Sequence, residues 1–151
     1  MNTLKRTEVI VAGAVLALVT YTMCLSVLAS VQTSRTVSNT GTVKAVGVGV
    51  YWDYACTGSV SSINWTVLEP GSSKDATCYI RNEGNSASTL SMSTSNWNPS
   101  NAPDYMSLIW DYGGQSIDPD EVVQVTFTLS VSASIEGITS FSFDITITGS
   151  G

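Results

Sequence analysis

Two stretches near the end of the chain alternate apolar and polar residues one for one. That period of two narrows most what the chain can fold into. Val123, Val125, Phe127, Leu129 and Val131 are interleaved with Gln124, Thr126, Thr128 and Ser130. Phe141, Phe143, Ile145 and Ile147 are interleaved with Ser142, Asp144 and Thr146. Successive side chains of a strand point to opposite faces, so each stretch predicts a strand with one dry and one wet face. Weaker alternation runs upstream. Val46, Val48, Val50 and Trp52 share a phase, as do Ile63, Trp65 and Val67, then Ala76, Cys78 and Ile80, then Leu90 and Met92, then Met106, Leu108 and Trp110. Turn signals separate these runs at Pro70-Gly71, Asn82-Glu83-Gly84-Asn85 and Gly113-Gly114. No helical period appears after residue 31.

Residues 9–31 read differently. VIVAGAVLALVTYTMCLSVLASV holds no charge, and as a helix it is long enough to cross a bilayer core of roughly 30 Å. Lys5 and Arg6 precede it and Glu8 opposes them only weakly, so the N-terminus is expected in the cytoplasm and the rest outside. A cleaved signal is the competing reading, since Val27-Leu28-Ala29 offers small residues for cleavage after Ala29 and a secreted product. Tyr21-Thr22-Met23 before Cys24 does not suit a lipoprotein, and a pilin-type leader lacks its small residue before the cleavage point. The expected organisation is a cytoplasmic end (1–8), a transmembrane or signal helix (9–31), a polar tether (32–41) and an extracytoplasmic domain (42–151). The membrane is thus the first expected partner.

One apolar face per strand requires two sheets closed on one core. The prediction is all-β: a seven-stranded immunoglobulin-like β-sandwich preceded by the N-terminal helix. Three turn motifs carry a resemblance. They are Val67-Leu68-Glu69-Pro70-Gly71-Ser72, Tyr79-Ile80-Arg81-Asn82-Glu83-Gly84-Asn85, and Ile117-Asp118-Pro119-Asp120-Glu121 ahead of an alternating strand. The pattern is similar to immunoglobulin-like domains of archaeal and bacterial cell-surface proteins and covers roughly residues 60 to 149. It implies a surface location and brings no catalytic residues. A single anchored copy points to an archaeal source.

Composition removes several functions. There is no histidine, which rules out Ser–His–Asp and Cys–His catalysis and imidazole-bound zinc. After residue 31 the cations are Arg35, Lys44, Lys74 and Arg81 against eleven carboxylates, so a nucleic-acid partner is not expected. No cofactor is implied. Asp118, Asp120 and Glu121, with Asp104 and Asp111 nearby, have no calcium-loop spacing and read as solvated turn residues, so no metal ligand is assigned.

A few positions stand out. Asn64-Trp65-Thr66 is an N-glycosylation sequon with Asn64 in the outward phase. Cys56 and Cys78 form a candidate disulfide outside the cell, set against Cys78 as a small buried hydrophobe. Trp97 lies in Ser95-Asn96-Trp97-Asn98-Pro99, where no period calls for a large ring. It is a candidate contact for a glycan or partner, or else a plug on one end of the sandwich. Residues 43–52, apolar on one face and thinned by Gly47 and Gly49, form a strand that completes its own sandwich or is donated to a neighbour. The expected role is a non-enzymatic structural or adhesive one on a cell surface, with itself or other surface proteins as partners. The alternatives are a filament subunit assembling by strand donation and a carbohydrate-binding module.

Overall fold

The computed structural model describes residues 38–151. The 9–31 run, with the expectations placed on it, lies outside the described residues. Among the described residues no helix is long and apolar enough to cross a membrane.

The alternating stretches form strands. They are β1 (Ser38–Val46), β2 (Val48–Tyr51), β3 (Ser62–Asn64), β4 (Ser73–Asn82), β5 (Thr89–Asn98), β6 (Met106–Trp110), β7 (Val122–Val131) and β8 (Ser140–Ser150). A short 3-10 helix, Ala102–Asp104, precedes β6. Two four-stranded sheets result, one in the order β3-β1-β8-β5 and the other β2-β4-β7-β6. The described residues therefore form an all-β sandwich, with eight strands where seven are expected from sequence.

Between the sheets lies a single apolar core. β7 contributes Val125, Phe127, Leu129 and Val131, and β8 contributes Phe141, Phe143, Ile145 and Ile147, all buried. Cys78 and Ile80 of β4 and Val48 and Val50 of β2 join them. Burying one such aliphatic or aromatic side chain stabilises a fold by about 1.5–3 kcal/mol. Loops add Trp65, Leu68, Ile117 and Ile138.

The extra strand arises at Gly47. What reads as one strand over 43–52 is two, broken where Gly47 takes φ +73°, a conformation open to glycine at little cost. The break carries the chain from one sheet to the other. β1 ends in the first sheet with Val46 turned outward and 56% exposed, and Val48 re-enters the core from the second. Strand β1 also begins at Ser38, inside the stretch expected to be tether.

Two further phases are corrected. Trp52, expected inward, follows the last residue of the four-residue β2 and is 46% exposed. Val67 is 50% exposed because Thr66 takes φ 56°, which ends the extended run and hands the inward phase to Leu68.

β1 is a middle strand. It runs parallel to β8 from Ser38↔Ser140 to Val46↔Thr148 and antiparallel to β3 from Thr40↔Asn64 to Thr42↔Ser62. Its core-side positions are Asn39, Gly41 and the half-buried Val43, which offer little apolar volume, while Ala45 in the same phase is exposed. At Gly41 a Cβ would stand 3.1 Å from Trp65 Nε1 and 3.4 Å from Ile145 Cδ1. Trp65 is fully buried, so neither neighbour has free space to retreat into. Gly41→Val should therefore destabilise the domain by about 1–3 kcal/mol through overpacking, read as a lower urea midpoint. Thr42→Val, one residue on and facing solvent, should leave the midpoint nearly unchanged.

Candidate functional site

The outer faces of the two sheets differ. On the first sheet, Thr40 and Thr42 of β1, Ser142 and Thr146 of β8, and Ser91 and Ser93 of β5 stand outward in paired rows. One ion pair crosses this face: Lys44 Nζ donates to Asp144 Oδ2 at 2.5 Å. Asn96 Nδ2 donates to the same oxygen at 2.8 Å. The Lys44 bond, then the Asn96 bond, hold the Asp144 carboxyl below its ordinary value.

The second sheet presents rings. Tyr51 of β2 and Tyr79 of β4 are cross-strand partners. Tyr54, in the turn after β2, meets Tyr79 edge-on with centroids 6.0 Å apart and is itself 69% exposed. The Arg81 guanidinium lies 5.5 Å from the Tyr51 ring centroid, within cation–π range. Arg81 Nη2 donates to Glu83 Oε1 at 3.0 Å, and the Tyr51 hydroxyl donates to the same oxygen. This hydroxyl bond, followed by the Arg81 bond, lowers the Glu83 carboxyl, while the same contacts raise Tyr51 and Arg81.

Gly49 lies beneath the cluster. A Cβ there would fall 2.5 Å from both Glu83 Oε1 and Tyr51 Cε2, so the Tyr51–Glu83 contact needs a bare backbone below it. Arg81 Nε is buried and has no acceptor among the described residues. The turn that feeds this face is tied by Asp53, whose carboxylate accepts the N–H groups of Thr57 and Gly58. These bonds, Gly58 first, hold Asp53 below its ordinary value.

From sequence, Tyr51 and Tyr54 are two of eight Trp and Tyr residues that could supply a sugar-stacking platform, and nothing in the sequence joins them to Tyr79, Arg81 and Glu83. Tyr51, Tyr79, Arg81 and Glu83 come together only through the β2–β4 register, and Tyr54 through the turn. The outward phase of Tyr79 and Arg81 is a second visible signal.

The residues singled out from sequence are scattered. Asn64 ends β3 and is exposed, and its Oδ1 accepts the N–H of Thr66 at 2.9 Å. The Thr66 hydroxyl accepts from Lys74 Nζ at 2.9 Å, while Trp65 between them is wholly buried. Trp97 is not in a loop but in β5. The register runs Ser95↔Asp144 and then Asn98↔Ser142, so a bulge inserts one extra residue and reverses the phase. The ring stacks on Phe143 with centroids 4.0 Å apart and planes 8° apart, and Nε1 donates to Thr94 Oγ1 at 3.2 Å.

Cys56 and Cys78 are both free. Cys78 points into the core, whereas Cys56 takes φ 57° in the exposed turn and its Sγ donates to the Tyr54 carbonyl. The two side chains serve different layers of the fold, and burial pushes the Cys78 thiol up to about 11.

The acidic turn residues make local hydrogen bonds. Asp118 N–H donates to Glu121 Oε2 at 2.8 Å, Asp120 N–H donates to the Asn82 carbonyl, and Asp111 Oδ1 accepts from Thr126 N–H at 2.7 Å.

No protein-family model matches the chain. No curated protein matches it either. Among solved structures, the ASH/PapD-like domain of human CEP192 (PapD-like domain 7) is similar at 8% identity and a TM-score of 0.32, over 82% of this chain and 91% of that one. The all-β two-sheet architecture stands on the strands and their pairing.

Two outcomes follow from these contacts. Under native conditions a maleimide should label Cys56 and spare Cys78 until urea unfolds the domain, as read by peptide mass mapping; both cysteines unlabelled even in urea without reductant would mean that the pair forms after all. Asp144 and Glu83 both have depressed folded pKa values. Their stabilisation is present above the unfolded carboxylate range of about 4 and is lost as pH falls through the folded values. Urea midpoints should drop as pH falls below about 4, and less steeply in an Asp144→Asn, Glu83→Gln double variant.

Proposed function

We propose that the chain is a membrane-tethered cell-surface module with a non-enzymatic structural or adhesive role, its sandwich of the immunoglobulin-like class standing outside the cell. The observation that carries this is the charge-free run at 9–31, followed by only six residues before β1 opens the sandwich at Ser38. Basic residues ahead of that run favour an inside N-terminus. The wet faces of the domain support an extracytoplasmic setting, being rich in hydroxyls and poor in charge. The exposed Asn64 sequon and the turn motifs shared with archaeal and bacterial surface domains agree with it.

In this reading the apolar run stays in the membrane. Carbonate-washed membranes should retain a chain that begins at Met1, and protease added to intact cells should digest the sandwich. A soluble product beginning near Ser30 would sink the anchored form.

A second reading has an observation of its own. β1 is a middle strand supplied from the N-terminal side, joined to the rest through Gly47 and facing the core with Asn39 and Gly41. Such a strand is suited to donation into the β3–β8 gap of a neighbouring copy, which would build a filament. Heat-stable, high-mass assemblies would support this reading if the synthetic peptide 38–46 caps their growth. Growth unaffected by the peptide would remove it.

A further inference from the structure

The ring-bearing face of the second sheet has features that strand pairing alone does not call for. Cross-strand aromatic pairs stabilise sheets, which accounts for Tyr51 beside Tyr79. It does not account for Tyr54, which lies outside any strand and leaves 69% of its surface in solvent. Nor does it account for an Arg81–Glu83 pair drawn against the rings over a glycine floor.

We propose that this face binds a neutral saccharide, stacked on Tyr54 and gripped at neighbouring hydroxyls by Arg81 and Glu83. A sugar ring has an apolar C–H face that packs on an exposed aromatic ring, and its rim carries hydroxyls that both donate and accept. Arg81 offers only donors, and Glu83, when ionised, only acceptors. Set 3.0 Å apart, they match two adjacent hydroxyls of opposite polarity. The Tyr51 hydroxyl and the Gly49 floor hold Glu83 in place beforehand, so little ordering remains to be done on binding.

Charge selects the neutral class. The Arg81 charge is offset by Glu83, and residues 38–151 otherwise carry Lys44 and Lys74 against ten further carboxylates. That field repels a polyanion. A protein partner fits less well, because Thr77, Gln124 and Thr126 beside the rings give hydroxyl and amide rather than a continuous apolar area.

This inference gives a ligand class to the adhesive side of the proposed function. It is tested on purified protein, so its failure leaves the membrane topology unaffected. The full chain, held in lauryldimethylamine oxide rather than a sugar-headed detergent, is run on native gels cast with laminarin, yeast mannan, dextran or hydroxyethylcellulose, and with polygalacturonate as the anionic polymer. At least one neutral polymer should retard it. Tyr54→Ala and Arg81→Gln should each weaken that retention tenfold or more while keeping the β-sheet circular dichroism of the parent chain. Ile109→Ser, exposed on β6 of the same sheet, should retain it. The proposal is overturned if no neutral polymer retards the chain, if retention survives Tyr54→Ala, or if polygalacturonate alone is bound.

Discussion

The first sheet depends on the close approach of β1 to Trp65 at Gly41. Among the described residues the three-residue β3 has no other strand partner, and without β1 one side of β8 would be an open edge. A strand in that position is normally secured by its inward side chains. Here those are Asn39, Gly41 and Val43, so the hold comes from two hydrogen-bonded flanks and from the fit of a bare backbone over an indole. Asn39 Nδ2 adds a bond to the Thr66 carbonyl at 3.2 Å. Asn39 Oδ1 and Trp65 Nε1 are buried with no partner among the described residues. Leaving a buried polar atom unpaired costs about 1–3 kcal/mol, so this seam is less fully satisfied than the core beneath β7 and β8.

The opposite edge is managed by other means. β5 is ten residues long, carries no charge, and lies at the margin of its sheet, the kind of edge that invites pairing with another chain. Ser88 exchanges backbone bonds with Ile117, and Leu90 N–H donates to the Tyr112 hydroxyl, which itself donates to the Gln115 carbonyl. The 112–117 segment thereby covers the start of β5. The bulge after Ser95 bends its end and turns Trp97 onto Phe143. Only the middle of the strand keeps a free edge.

Alternation made β4, β7 and β8 legible residue by residue, because each is long and half-buried. The turns at Pro70-Gly71 and Asn82–Asn85 were equally plain. The errors fall where a single residue changes the phase: Gly47 splits one strand into two, Thr66 turns the chain just past β3, and the bulge in β5 turns Trp97 inward. A period-of-two reading carries no warning of such a slip. Ser38 to Gly41 was read as tether because a strand with Asn and Gly inward has no apolar signal. The tyrosine–arginine face was hidden for another reason: its members lie up to 34 residues apart, from Gly49 to Glu83, and only strand register brings them together.

One strand links the interior to that face. Along β4 the side chains of Cys78, Ile80 and Asn82 go inward while Tyr79 and Arg81 go outward. Asn82 is 1% exposed, yet its polar groups are met. Nδ2 donates to the carbonyls of Ser86 and Ile117, each at 2.9 Å, and Oδ1 accepts from Gly84 N–H. Its backbone N–H donates to the Glu121 carbonyl, and its own carbonyl accepts from Asp120 N–H. A buried amide satisfied in this way rigidifies the turn around it. Glu83 is the next residue, so its backbone is held where its carboxylate reaches both Arg81 and the Tyr51 hydroxyl above Gly49. The polar pinning that closes the core at this end therefore also sets the geometry of the exposed cluster, and the two cannot vary independently.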